Sequence, residues 1–170
     1  MKYLSIIMSV AGLVMGVCGL CPQAQASIFI HEVLADPPAL VGDANQDGTV
    51  SSTQDEFVEL YNPTAQAVTL TGWTLYDATG LRHTFGSAVI DPLGVFVVFG
   101  GGTPSAAGFS FEKASSGGLS LNNTGDFVRL KDAQGFLVDE FSYGSEGNDN
   151  QSLVRLSPLS GIVLHSEITG

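Results

Sequence analysis

Past residue 21 this 170-residue chain has no cysteine; its two, Cys18 and Cys21, both lie near the amino terminus. The rest therefore has neither a disulfide framework nor a thiolate metal site and must be held by its core or by another kind of clasp. Positive charge is also scarce. Six Lys and Arg stand against 17 Asp and Glu, for a formal net charge of −11. Such a surface repels phosphate backbones and anionic lipid, which argues against nucleic acid as a partner. It suits divalent cations, cationic partners or solubility. No stretch past residue 26 carries apolar residues at helical spacing. Catalytic motifs are missing too: His31-Glu32 lacks a second His four residues on, and no G-x-S-x-G follows residue 26. Asp139 and Glu140 are adjacent in a strand-like run and point to opposite faces, as do Glu56 and Glu59, which suits a glycosidase pair poorly. His31, His83 and His165 read as surface or hydrogen-bonded sheet residues. The expectation is a protein that is not an enzyme, with no catalytic residue and no organic cofactor.

What is present begins with a leader. Met1-Lys2-Tyr3 precedes an uncharged run from Leu4 to Cys21, Pro22 breaks it, and Ala24-Gln25-Ala26 supplies a small-x-small cleavage pattern. The competing reading is a retained anchor, since the run approaches spanning length, but its glycines and the adjacent cleavage pattern argue for removal. We expect a signal peptide at 1–26, one domain at 27–158 and a carboxy-terminal tail at 159–170. The product is then exported, either secreted or envelope-associated, and has no membrane span. Loss of Lys2 leaves five cations and moves the formal charge to −12.

The remainder is punctuated into short extended runs. Ser27–Leu34 alternates, with Ile28, Ile30, Glu32 and Leu34 on one face and Phe29, His31 and Val33 on the other, and Asp36-Pro37-Pro38 ends it. Glu56–Tyr61, Val68–Asp77, Leu81–Phe85, Val95–Phe99, Phe109–Lys113 and Ser152–Leu156 follow the same logic. Val95–Phe99 is apolar throughout and predicts a strand buried on both faces. Gly72 marks a break in its segment, and Trp73, the single tryptophan, is expected in the core with its indole N–H bonded. The clearest hairpin joins Asp126–Leu130 to Phe136–Tyr143, with Gly135 placed for a left-handed turn residue. Eight to ten such strands predict an all-β sandwich or barrel.

One loop carries most of the chemistry. Asp43-Ala44-Asn45-Gln46-Asp47-Gly48-Thr49-Val50-Ser51 places oxygens at the first, third and fifth positions, Gly at the sixth, a carbonyl at the seventh and a hydroxyl at the ninth, as an EF-hand calcium loop does. Val50 occupies the apolar eighth position and is expected to anchor the loop to the core. The twelfth position, a bidentate carboxylate in that pattern, is Gln54 here, a weaker neutral ligand, so the closing residue is Gln54 or one of the adjacent Asp55 and Glu56. The expected metal ligands are Asp43, Asn45, Asp47, Thr49, Asp55 and Glu56, and the expected ion is Ca²⁺. Glu56 shares a face with Val58 and Leu60, so it points inward and needs either the metal or a backbone N–H. Asp36 is a weaker candidate ligand that reads first as a turn initiator.

The order of motifs resembles a known family. I-F-I-H-E-V-L-A-D-P, the D-A-N-Q-D-G-T-V loop, D-E-F-V-E-L-Y-N, L-T-G-W-T-L-Y-D, R-H-T-F, G-V-F-V-V-F-G-G-G, L-N-N-T-G-D-F-V-R-L-K-D and N-D-N-Q-S-L follow one another from about residue 28 to 157. This is similar to the bacterial branch of the lamin-tail domain family. The resemblance implies an immunoglobulin-like β-sandwich, here with an inserted calcium loop, in an exported module that stands alone or beside hydrolases. Such modules are associated with tethering to surfaces or nucleic acid. The function expected from sequence is a secreted, non-enzymatic, calcium-stabilised binding or structural module, with an unknown protein or surface ligand as partner. Two rival readings are an accessory domain that brings a separate nuclease to nucleic acid, and a hydrolase using the acidic loop as its cofactor site.

Overall fold

Ile28 opens the computed structural model, which describes residues 28–168; the expected leader at 1–26 lies outside the described residues. Twelve strands run in order: β1 Phe29–Leu34, β2 Phe57–Tyr61, β3 Val68–Thr69, β4 Thr74–Tyr76, β5 Leu81–Thr84, β6 Val89–Ile90, β7 Val95–Phe99, β8 Ser110–Lys113, β9 Asp126–Lys131, β10 Leu137–Tyr143, β11 Leu153–Val154 and β12 Val163–Leu164. Single 3₁₀ turns at Ser145–Asn148 and His165–Glu167 are the only helical pieces among the described residues. The runs are rich in β-branched and aromatic residues, which suit a pleated, half-buried surface.

Two sheets face each other. The larger has the order β12-β11-β1-β2-β7-β8 and the smaller β10-β9-β4-β5, while β3 and β6 pair as a separate ribbon. All pairings are antiparallel except β7 with β8. Ile28, Ile30, Val33, Val58, Leu60, Phe96 and Val98 from the larger sheet's side meet Leu75, Val128, Leu130, Phe141 and Tyr143 of the smaller one. Phe85, Leu119 and Leu121 complete that interior from the connections. Burying each large side chain of this kind contributes on the order of 1.5–3 kcal/mol. The result is the expected all-β sandwich.

Val97 and Phe99 point to the opposite face of β7, where a second, smaller cluster forms with Ala106, Phe57, Phe109, Phe111 and Ala44. Edge-to-face ring pairs link Phe57 to Phe99 at 6.2 Å and Phe99 to Phe111 at 5.9 Å. This cluster is why Val95–Phe99 reads as apolar throughout. It also seats the acidic loop, because Ala44 belongs to both.

Several sequence expectations need correction. Strict alternation puts Glu32 inward with Ile28 and Ile30. Instead a bulge shifts the β1–β2 register between Ile30 and Glu32, so Val33 takes the inward place. The bulge is pinned from β10 and β11: Asp139 Oδ2 accepts the Ile30 N–H at 2.7 Å, Arg155 donates to the Ile30 carbonyl at 2.9 Å, and the Arg155 N–H reaches the His31 carbonyl at 2.8 Å. Trp73 is half-buried at the margin of the core rather than inside it. Its neighbour Gly72 adopts φ +79° and turns the chain between β3 and β4. The tail was not legible as structure, yet β12 pairs with β11 and extends the larger sheet. The β9–β10 hairpin forms as expected, with Gly135 at φ +84°.

Candidate metal site

The acidic loop is built from its own side chains outward. Asp43 accepts the N–H of Asp47 on Oδ1 at 3.1 Å and that of Gly48 on Oδ2 at 3.0 Å. Asn45 Oδ1 also accepts the Asp47 N–H, at 3.0 Å, and Asp47 Oδ1 accepts the Thr49 N–H at 2.9 Å. Each oxygen-bearing residue thus caps the backbone two to five residues on, the local device for which Asp and Asn are suited. Gln46 at φ 57° and Gly48 at φ +87° supply the left-handed bends. This is the turn train that the D-x-N-x-D-G spacing encodes.

The loop is then clamped to the segment after β7. Asn45 is fully buried, donating from Nδ2 to Gly101 O at 3.2 Å and more weakly to Gln54 O at 3.4 Å. Asp47 Oδ2 accepts the Thr103 N–H at 3.0 Å, and the Ser105 N–H reaches the Asn45 carbonyl at 2.9 Å. A Cβ on Gly102 would fall 2.3 Å from Asp47 Oδ2 and 2.6 Å from Asn45 Nδ2, and one on Gly100 would fall 2.0 Å from Thr53 O. The Gly100-Gly101-Gly102 run is therefore a seat for the loop, since only bare backbone fits at Gly100 and Gly102.

Asp55 is the strut. It is fully buried, with Oδ1 on the Asn45 N–H at 3.1 Å and Oδ2 on the Ser51 N–H at 2.7 Å, so it ties both limbs of the loop together. Glu56 does not join it. Its carboxylate turns into the sandwich, where Oε2 accepts the Leu121 N–H at 3.3 Å. Burial pushes the Glu56 carboxyl up to about 7, against the lowering pull of the Leu121 and Ser120 N–H groups and of Arg82. Of the two carboxylates proposed to close the site, only Asp55 faces the loop. Gln54 is exposed, and so is Thr49. Val50 is 39% exposed and outside both hydrophobic clusters; Ala44 is the apolar anchor instead. Asp36 accepts from Asn123 Nδ2 at 2.7 Å, the bridging role of a turn residue.

The loop fits Ca²⁺ only in part. The donors are all oxygens, and each carboxylate oxygen used by one N–H keeps a lone pair. Yet no three of Asp43, Asp47, Asp55 and Glu56 bring their oxygens within 4.8 Å of one another. Among the described residues the one His, Asp and Glu trio that does so is His31, Glu32 and Glu59, on the outer face of β1 and β2. The sequence reading missed this group because the bulge, which carries His31 and Glu32 to one face, leaves no mark in the alternation.

His165 lies beside the trio, its Nδ1 3.0 Å from Glu32 Oε1, whereas His83 is engaged elsewhere. His83 is buried on β5, takes the Ser115 N–H on Nδ1 at 3.3 Å and holds Nε2 2.8 Å from Glu112, off line for a hydrogen bond. Burial lowers its pKa despite the raising effect of the Glu112 charge. Asp77 behaves oppositely to Glu56: burial would raise its carboxyl, but Arg82 at 2.6 Å and the N–H groups of Gly80 and Thr79 bring it below the usual range. A cleft of ≈ 540 Å³ between Val89, Asp91, Leu93, Phe109 and neighbouring backbone has one carboxylate and no histidine in its lining. His31 pairs with Glu59, and His83 with Ser115 and Glu112, so neither is bonded to the acidic loop as the hydrolase reading requires.

No curated protein matches this chain. The sequence profile described as Lamin Tail Domain does match, over residues 22–145, which takes in β1 through β10 and the acidic loop. With that match and its immunoglobulin-like β-sandwich, the chain belongs to the Lamin Tail Domain family.

Proposed function

We propose that the protein is an exported, non-enzymatic module whose acidic loop binds Ca²⁺ and whose sandwich presents a surface to a protein or envelope ligand. The observation that carries the calcium reading is the Asx-type turn train at Asp43, Asn45 and Asp47, seated on glycines and braced by Asp55. Asp43, Asn45, Asp47 and the Thr49 carbonyl hold the ion, and Asp55 closes the set. Bound there, Ca²⁺ neutralises the carboxylates of one loop and fastens the β1–β2 connection to the end of β7. In a chain whose only cysteines precede the domain, it takes the place of a disulfide. Affinities of about 10⁻⁴ to 10⁻³ M suffice outside the cell. Strong net negative charge supports a cationic or neutral partner over nucleic acid.

The test is thermal unfolding in EDTA and in millimolar CaCl₂, with limited proteolysis of the 43–55 loop. Calcium should raise the melting temperature and protect the loop. Identical melting and cleavage in both buffers rejects the calcium reading. For the partner, pull-downs from the native culture with and without calcium should retain a protein or surface component, and retention of nucleic acid alone would favour the nuclease-accessory reading.

A further inference from the structure

Glu32 and Glu59 are direct cross-strand partners in the β1–β2 register. Their side chains are only 13% and 17% exposed. Like charges set opposite each other destabilise a sheet. Lys or Arg would relieve this, yet among the described residues the ion-pair partners of these carboxylates are histidines: His31 Nδ1 stands 2.7 Å from Glu59 Oε1, and His165 Nδ1 stands 3.0 Å from Glu32 Oε1. One ligand atom each from His31, Glu32 and Glu59 lies within 4.8 Å of the others. Around a tetrahedral ion at about 2.0–2.2 Å, neighbouring ligand atoms stand roughly 3.3–3.6 Å apart, so small side-chain rotations bring the trio onto one ion.

The fold holds these groups in place. The bulge at Ile30–Glu32 is what lets two consecutive residues, His31 and Glu32, serve one face, and Asp139 and Arg155 fix it through the main chain. The His31 ring is bracketed by Phe29 at 6.1 Å and Tyr61 at 5.9 Å between centroids. Glu32 is oriented through its Oε1, which accepts from the Ser152 hydroxyl and lies 3.0 Å from His165 Nδ1. An outer set of partners of this kind orients metal ligands and tunes their affinity. A cleft of ≈ 160 Å³, lined by Ala44, Phe57, Val97, Phe99 and Phe109, reaches Glu59.

We infer that His31, Glu32 and Glu59 form a second cation site, separate from the acidic loop, for a divalent transition metal of the zinc class, with His165 positioned to orient Glu32. Mixed imidazole and carboxylate donors select borderline ions such as Zn²⁺ or Ni²⁺, whereas Ca²⁺ takes oxygen ligands. The two sites are therefore chemically distinguishable.

Metal-free protein is titrated with ZnCl₂ in saturating CaCl₂ by isothermal calorimetry. One Zn²⁺ per chain is expected, with affinity reduced at least about tenfold in H31Q and in E59Q and less in H165Q. Circular dichroism in EDTA checks that each variant is folded. A variant that does not fold is replaced by a wild-type readout: Co²⁺ loading should give a visible absorption band and paramagnetic shifts on the His31 ring signals. No Zn²⁺ uptake at millimolar concentration, undiminished uptake in folded H31Q and E59Q, or Co²⁺ shifts that spare His31 each overturn the assignment.

Discussion

Arg155 and Asp139 form a buried ion pair that closes around the main chain of Ile30, one partner taking its carbonyl and the other its N–H. The guanidinium also reaches the Glu140 carbonyl at 3.2 Å and lies over the Phe141 ring at 5.4 Å. A pair like this adds little net stability over an apolar substitute, but breaking it from one side strands a charge.

Arg155→Met should therefore destabilise the fold by about 3–5 kcal/mol in urea unfolding, because Asp139 is left buried without its cation. Adding Asp139→Asn should recover part of that loss. A double variant as unstable as the single one would place the cost in the lost guanidinium contacts to the Ile30 and Glu140 carbonyls instead.

Glu56 gives the stability a pH dependence of definite sign. Its carboxyl is ordinary near 4.5 when unfolded and is pushed up to about 7 in the sandwich, chiefly by burial. The folded state therefore binds the proton more tightly. Its contribution is full below about 4.5 and is lost as pH rises through 7, by about 3 kcal/mol at the most. Glu56→Gln keeps the acceptor for Leu121 and removes the titration. In EDTA the variant should match wild type near pH 5 and exceed it at pH 8. Parallel stability curves for the two proteins across that range would refute the assignment.

Much of this architecture was legible because most strands obey period two and their turns carry Pro, Gly and Asn. The β9–β10 hairpin, the apolar β7 and the inward aim of Glu56 follow from parity alone. Parity fails at His31. A bulge costs one residue of register and is enforced by Arg155, more than 120 residues away, so nothing local announces it. The acidic loop was legible as a chain of turns, since each Asp or Asn caps its own neighbours. Its seat was not, because the need for glycine at 102 arises from contact with Asp47 and Asn45 across 55 and 57 positions. The exposure of Val50 has the same origin: flanking strands, unlike EF-hand helices, give the eighth position no groove to enter.

Gly102 and Gly48 separate backbone strain from crowding. Both have positive φ, +74° and +87°, but a Cβ at Gly48 meets nothing within 4 Å. Gly48→Ala should cost only the left-handed penalty, about 1 kcal/mol. Gly102→Ala adds a collision with two loop side chains and should cost more, about 2–4 kcal/mol. It should also shrink any calcium-induced rise in melting temperature, which Gly48→Ala should largely preserve. Thermal melts of both variants, with and without CaCl₂, make the comparison.

Asp55 separates a strut from a ligand. Both of its oxygens accept backbone N–H groups, from Asn45 and Ser51. Asp55→Asn replaces one acceptor by an NH₂ that faces a donor, which should cost about 1–3 kcal/mol even in EDTA. If Asp55 also closes the calcium set, the variant loses a second quantity, the increment that CaCl₂ gives wild type. Asp43→Asn also replaces a loop acceptor, but on a partly exposed side chain, so it should cost less in EDTA while still reducing the calcium increment. A variant at Asp55 that is weakened in EDTA yet gains the full wild-type increment from calcium would make the residue a strut alone, and the ion would then be held without a carboxylate after Ser51.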